Sequence, residues 1–324
     1  MRCARSPVRA AAAAAGVAVG WACAAVGVSC RDEGSLPVVM WHGMGDTGYP
    51  GGSMDVIAGW LMEAGVPYVK LVALGGSATG DVYAGFYGSV NGQVDEVCAA
   101  LRDDAKLAAA GEINAIGFSQ GAQFMRAYVQ RCNDPPVRNL ISLGGQHQGV
   151  FGLPSCDPAS SSFSLCQGLS QVLSVGAYLS AAQARVVQAQ YWHDPVRPDA
   201  YTRGSRFLAE LNNEPGAANA DDARAALYRS NLVKLHKFVM VKFLRDSMVY
   251  PAESSWFGFF DEGMNVRPLQ ESTLYTGASD ALGLRWLDGE GKLEFVEVDA
   301  DHLQFTREWF EEMIVRPHLV GSPD

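Results

Sequence analysis

Three observations in the sequence predict an α/β fold: a mostly parallel central sheet with helices on both faces and one helical insertion. From Ser35 onward, short apolar runs alternate with amphipathic segments. Strand, helix, strand and helix follow in this order, which reads as a parallel sheet covered on both faces. The rhythm breaks once, between about Gln146 and Leu232, where helical patterns occur without a strand. The chain has 324 residues, of which 48% are hydrophobic and 19% charged, enough for a sizeable core and unlike a disordered or fibrous chain. Its formal net charge of -10, with no Lys/Arg-dense run, lacks the basic footprint that a nucleic-acid partner demands.

Taken in order, Leu36-Pro-Val-Val-Met-Trp41 is a buried-strand run, His42 to Tyr49 a glycine-punctuated loop, and Met54 to Ala64 has helical spacing. Tyr68 to Leu74 is the second strand candidate, and Val94 to Ala108 reads as one helix. Ile113 to Gly117 is a third strand, followed at once by the helical Gln120 to Arg131, and Arg138 to Leu143 is a fourth. Within the insertion, Ala182 to Gln190 and Ala220 to Leu227 have helical patterns. Strand character returns at Phe238 to Leu244 and Leu293 to Val298, and a helix from about Thr306 to Val315 follows.

Residues 1–29 differ from this body. Arg2, Arg5 and Arg9 precede an Ala/Val/Gly-rich run from about Ala10 to Val28, the pattern of a secretory signal peptide, leaving 30–324 as the folded domain. No second run of that length follows, so no stable membrane span is expected after its removal. Four body cysteines, Cys98, Cys132, Cys156 and Cys166, suit two disulfides in that compartment, with three connectivities open; none forms a CxxC pair, so neither a zinc site nor any other metal centre is expected.

Gly117-Phe-Ser119-Gln-Gly121 matches the G-x-S-x-G pattern, which is weak alone but sits here between an apolar strand and a helix. That is the placement of a nucleophile elbow, in which small residues permit a sharp turn and leave the serine hydroxyl exposed. A serine needs an imidazole to take its proton, and the imidazole needs an orienting carboxylate. Of six histidines, His302 alone follows a late strand and precedes the last helix. For the acid, Asp246 directly after the Phe238 to Leu244 strand fits better than Asp194 inside the insertion; Asp299 and Asp301 lie too close to His302. Backbone N–H groups of Gln120, after the nucleophile, and Met44, in the loop after the first strand, are the candidates to hold an oxyanion.

Read together, Val39-Met-Trp-His-Gly-Met-Gly-Asp46, Ile116 to Phe124, Leu140 to Pro154, Tyr191-Trp-His-Asp-Pro195 and Asp301-His302-Leu-Gln304 resemble the palmitoyl-protein thioesterase family, its lysosomal type-1 branch in particular. The resemblance implies an α/β-hydrolase fold whose insertion, residues 146–233, forms an acyl-binding groove. It implies hydrolysis of the thioester joining a long fatty acyl chain to cysteine through an acyl-serine intermediate, with no cofactor. Its partners would be S-acylated proteins or peptides and the fatty acid, handled by a monomer in the secretory pathway, a lysosome or equivalent acidic vacuole, or outside the cell. Carried over, the triad falls on Ser119, Asp246 and His302, the oxyanion donors on Met44 and Gln120, and the disulfides on Cys98 with Cys132 and Cys156 with Cys166. Trp41, Val187, Gln188 and Trp192 would line the acyl groove.

Two departures from the family pattern stand out. Gly48 and Tyr49 occupy the place of an adjacent cysteine pair, and no Asn-x-Ser/Thr acceptor occurs anywhere, Arg245 standing where an asparagine precedes the acid. Glycan-dependent sorting therefore has no acceptor here. The same triad would also serve an acyl-CoA thioesterase or a lipid carboxylesterase, and a non-catalytic lipid-binding protein is the remaining alternative.

Overall fold

The computed structural model describes residues 35–152, 173, 176–218 and 220–320, which belong to one compact unit beginning at Gly34. The signal-peptide expectation for 1–29 and the Cys156 to Cys166 pairing lie outside the described residues. Six strands form a wholly parallel sheet: β1 (Val38–Trp41), β2 (Val69–Leu71), β3 (Ile113–Phe118), β4 (Val137–Leu143), β5 (Lys237–Phe243) and, after a small antiparallel hairpin of β6 (Phe259–Phe260) and β7 (Val266–Arg267), β8 (Leu293–Val298). Their order is β2-β1-β3-β4-β5-β8. With the serine turn following β3 at the centre, this is the α/β-hydrolase arrangement.

The central strands are largely apolar because each feeds two cores, whereas the edge strand β8 alternates with Glu294 and Glu297. Val39 and Trp41 of β1, with Phe238 and Met240 of β5, face a core that includes Val94, Phe124 and Tyr128. Val38, Met40, Val239, Val241 and Phe243 face the other, with Ile57, Leu61, Phe310 and Ile314. Alternation along a strand thus divides side chains between two helical layers rather than between core and water.

The helices that position the site are α1 (Ser53–Glu63), α2 (Ala78–Ala84), α3 (Val90–Arg102), α4 (Ala105–Ala110) and α5 (Gln120–Arg131). The single helix expected over Val94 to Ala108 is two. Asp104 breaks it, its carboxylate accepting the backbone N–H of Lys106 (3.0 Å) and Leu107 (3.3 Å) as an N-cap for α4. The second strand is shorter than expected, and α2 has no counterpart among the sequence expectations.

The insertion carries α6 (Ser180–Arg185), α7 (Val187–Gln190), α8 (Pro198–Gly204), α9 (Leu208–Leu211) and α10 (Asp222–Leu232) among its described residues. Val186 divides the helix expected over Ala182 to Gln190: its extended backbone bridges Tyr87, and the next N–H, of Val187, donates to Phe86 O at 3.0 Å. Helix α10 starts two residues later than expected because Asp221 caps it through Arg224 N (2.7 Å). The last helical stretch begins with the Thr306 cap and passes through a π turn at Glu311–Val315. Cys98 of α3 and Cys132 at the end of α5 form a disulfide with Cα atoms 6.0 Å apart. Among the described residues no helix is long and apolar enough to cross a membrane.

Candidate active site

Ser119 sits in the one-residue turn between β3 and α5 with φ 54 and ψ -124, a conformation that costs an L-residue about 1–3 kcal/mol. The flanking glycines make the turn possible. A Cβ on Gly117 would strike the Ala122 backbone, and one on Gly121 would strike the carbonyls of Trp41 and His42. The chain is thereby held tightly against the β1 exit, with the serine hydroxyl projecting above the sheet.

His302 follows β8 and Asp246 follows β5, and the sheet order sets these two strand exits side by side next to the serine. His302 Nε2 lies 2.9 Å from Ser119 Oγ, and His302 Nδ1 lies 2.7 Å from Asp246 Oδ2. A carboxylate only accepts, so Nδ1 carries the proton and Nε2 is left to accept the serine hydroxyl. The Asp246 side chain is fully buried, and its other oxygen accepts the N–H groups of Met248 and Val249, both at 2.8 Å. The carboxylate is therefore fixed on both sides.

The remaining histidines are engaged elsewhere. His42 meets Asp81, His147 is bonded to Ser142 Oγ (2.8 Å), His193 donates to Gln148 O (2.7 Å), His236 contacts Asn139 and His318 contacts Glu294. Asp194 pairs with Arg197, and Asp299 with Arg245. Asp301 receives the N–H of Ser247 and of His302, joining the loops that carry the acid and the imidazole.

Among the described residues, neither the Met44 nor the Gln120 backbone N–H meets an acceptor within the protein. Both flank Ser119, and a side-chain network locks them. Gln120 Nε2 and Gln188 Nε2 both donate to Gly85 O (3.0 and 2.8 Å), Gln188 also reaches Met44 Sδ at 3.1 Å, and Tyr191 donates to Gln120 Oε1 at 3.1 Å. Burial raises the pKa of Tyr191, which keeps its hydroxyl a donor.

Two cavities share Met44, Ser119 and Met248 as a common wall. One, of about 30 Å³, is walled by insertion residues including Gln146, Val150, Leu173, Gln188 and Tyr191. The other, of about 210 Å³, opens between α1 and the loop after β8 and has His302 in its wall. Of the four residues expected along an acyl groove, Gln188 lines the first cavity. The other three are outside both linings: Trp41 packs edge-on against Phe124 at 5.5 Å, Val187 is wholly buried, and Trp192 packs on Phe151 at 5.4 Å. The walls come instead from Gln146, Val150 and Tyr191, whose spacing in the sequence has no period that marks them.

The departure at Gly48 has a local cause. A Cβ there would strike the carbonyl of Val72, so this loop leaves no room for a side chain at that position.

Comparison with known proteins follows the same lines. The family model described as palmitoyl protein thioesterase matches residues 37–302. The chain is 43% identical over 289 residues to palmitoyl-protein thioesterase 1 of Caenorhabditis elegans, covering 88% of this chain and 92% of that protein. It is 36% identical over 270 residues to palmitoyl-protein thioesterase 3 of Dictyostelium discoideum, covering 82% and 84%. To the lysosomal thioesterase PPT2 of Homo sapiens it is 28% identical over 188 residues, 56% of each.

Proposed function

The chain belongs to the palmitoyl protein thioesterase family, and from that premise we propose that it removes long-chain acyl groups from S-acylated cysteine in proteins or peptides, with Ser119 as nucleophile, His302 as base and Asp246 as its orienting acid. The observation that carries the assignment is the imidazole of His302, bonded at once to Ser119 Oγ at 2.9 Å and to Asp246 at 2.7 Å.

Ser119 Oγ attacks the thioester carbonyl carbon while its proton passes to His302 Nε2. The oxygen of that carbonyl becomes an anion, which the N–H groups of Met44 and Gln120 receive; preorganised donors of this kind are each worth about 3 kcal/mol. The C–S bond then breaks, the acyl group stays on Ser119, and the sulfur leaves with the proton from His302. A cysteine thiol has a reference pKa of about 8.5, so its thiolate departs far more readily than an alkoxide or amine anion. Water next gives its proton to His302 and attacks the acyl-serine, releasing the fatty acid and restoring the hydroxyl. Asp246 holds the ring in the right tautomer and balances its transient positive charge.

The lysosomal relative and the secretory reading of residues 1–29 support a lumenal or secreted location. The test uses the mature protein and its Ser119→Ala variant with an S-palmitoylated peptide, a palmitoyl-CoA and a p-nitrophenyl ester, following acid release and the mass of the acyl-enzyme. Release from the peptide by the parent alone supports the reading. Turnover restricted to the CoA or ester substrates would move the activity to another acyl carrier.

A further inference from the structure

A tetrahedral centre on Ser119 has two substituents that must diverge, the acyl chain and the sulfur with whatever it is attached to. Two cavities diverge from Ser119, and their walls differ in one chemically decisive way. His302 lines the larger cavity and is not part of the lining of the insertion-side pocket. The imidazole that takes the serine proton must deliver it to the departing sulfur, so the sulfur has to lie on the side where His302 is accessible.

Resting on the thioesterase reading, we propose that the larger cavity receives the thiol-bearing half of the substrate, a cysteine within a peptide whose neighbouring residue is basic, and that the insertion-side pocket takes the acyl chain. The floor of this cavity is apolar, formed by Ile57, Phe118, Leu303 and Phe305. Among the described residues its one carboxylate is Asp46, and no Lys or Arg lines it. Asp46 is half-buried, accepts Thr47 N at 2.8 Å and the Ser53 hydroxyl, and keeps lone pairs for a further donor. A lysine or arginine beside the acylated cysteine meets an acceptor there, whereas a glutamate meets like charge and no cation.

The test compares S-palmitoyl peptides identical except for Lys or Glu beside the cysteine, using the parent, Asp46→Asn and Ile57→Trp. The expected kcat/KM ratio for Lys over Glu in the parent is about fivefold, the scale of a partly solvated ion pair. Asp46→Asn, which retains the acceptor for Thr47 N, should bring that ratio near one. Ile57→Trp should raise KM severalfold for both peptides while the acyl-chain-length profile keeps the parent's shape. A chain-length optimum that shortens in Ile57→Trp would assign this cavity to the acyl group and overturn the proposal. So would a parent ratio of one, or a ratio unchanged by Asp46→Asn. If the parent cleaves neither peptide, the thioesterase reading itself falls and takes this assignment with it; cleavage of both without preference overturns the proposal and leaves the thioesterase reading standing.

Discussion

His42 Nε2 lies 3.1 Å from Asp81 Oδ1, and neither side chain reaches solvent. The pair is ionic when His42 is protonated, and the Asp81 oxygens serve other donors as well. They accept Leu74 N (2.8 Å), Gly48 N (2.9 Å) and Thr47 Oγ1 (2.9 Å). One carboxylate thus joins the loop after β1, which carries Met44, to the segment after β2. Burial alone would push His42 down and Asp81 up. The attraction between them and the N–H groups on Asp81 outweigh it, so His42 is raised and Asp81 lowered.

Asp81→Asn should therefore cost activity through the oxyanion loop as well as stability. Leaving one partner of a buried pair costs about 3–5 kcal/mol. With Asp81 depressed, its contribution is present above its ordinary value of about 4 and lost in stronger acid; with His42 raised, its contribution is full below about pH 6.5 and lost as pH rises through its folded value. The Tm difference between parent and variant should peak near about pH 5 and shrink as pH rises through the raised pKa of His42. A difference independent of pH in thermal melts would reject the pair as its source.

Ser119→Gly should be inactive yet more stable than Ser119→Ala. Glycine adopts φ 54 without the clash that a Cβ brings, and relief of that strain is worth about 1 kcal/mol. Calorimetry on the three proteins at one pH measures it directly, and equal Tm values for the two variants would mean that the turn is unstrained.

Gly121→Ala places a methyl against the carbonyls of Trp41 and His42, backbone that cannot swing aside. The expected result is a loss of at least about 1–3 kcal/mol and of nearly all reaction with a serine-directed phosphonate. Full labelling at the parent's rate would show that the elbow has slack.

His193 lies between Tyr201 and Phe259, at 3.8 and 4.2 Å between ring centres, and burial lowers its pKa to about 4. His147 is lowered too, by burial and then by the charge of Arg126. Both are neutral in the fold, while in the unfolded chain they take up protons below about pH 6.5. Stability should fall as pH drops from about 6.5 to 4, with His193 contributing about 3 kcal/mol at most. His193→Phe keeps the stack and should flatten this slope in denaturant titrations; an unaltered slope would assign it to other groups.

Much of this was legible because burial on both faces writes a strand as a largely apolar word, unbroken in Val38–Trp41 and interrupted only by Asn114 in Ile113–Phe118. Ser119 could be read from its glycines, and Asp246 and His302 from their positions after late strands. Asp81 could not: it lies on a seven-residue helix without a periodic face, and its partners converge only in three dimensions. Trp41 and Trp192 illustrate the opposite difficulty. An aromatic residue near a site has the same sequence signature whether it faces a ligand or the core, and the Phe124 and Phe151 rings that receive these two come from separate segments. The break in the Val94 to Ala108 pattern turned on one cap at Asp104, which an apolar period overrides when read alone.

The Cys98–Cys132 bond closes a covalent ring that contains α4, β3, Ser119 and α5. An accessible point on that ring is Asp103, between α3 and α4, whose side chain is 77% exposed. A protease that cuts the backbone there opens the ring without dividing the molecule, since the sulfur bridge still joins both fragments. The segment bearing the nucleophile then has a free end at the cut and stays covalently tied to the rest through Cys132 alone, and the two pieces separate only when the cut is combined with reduction.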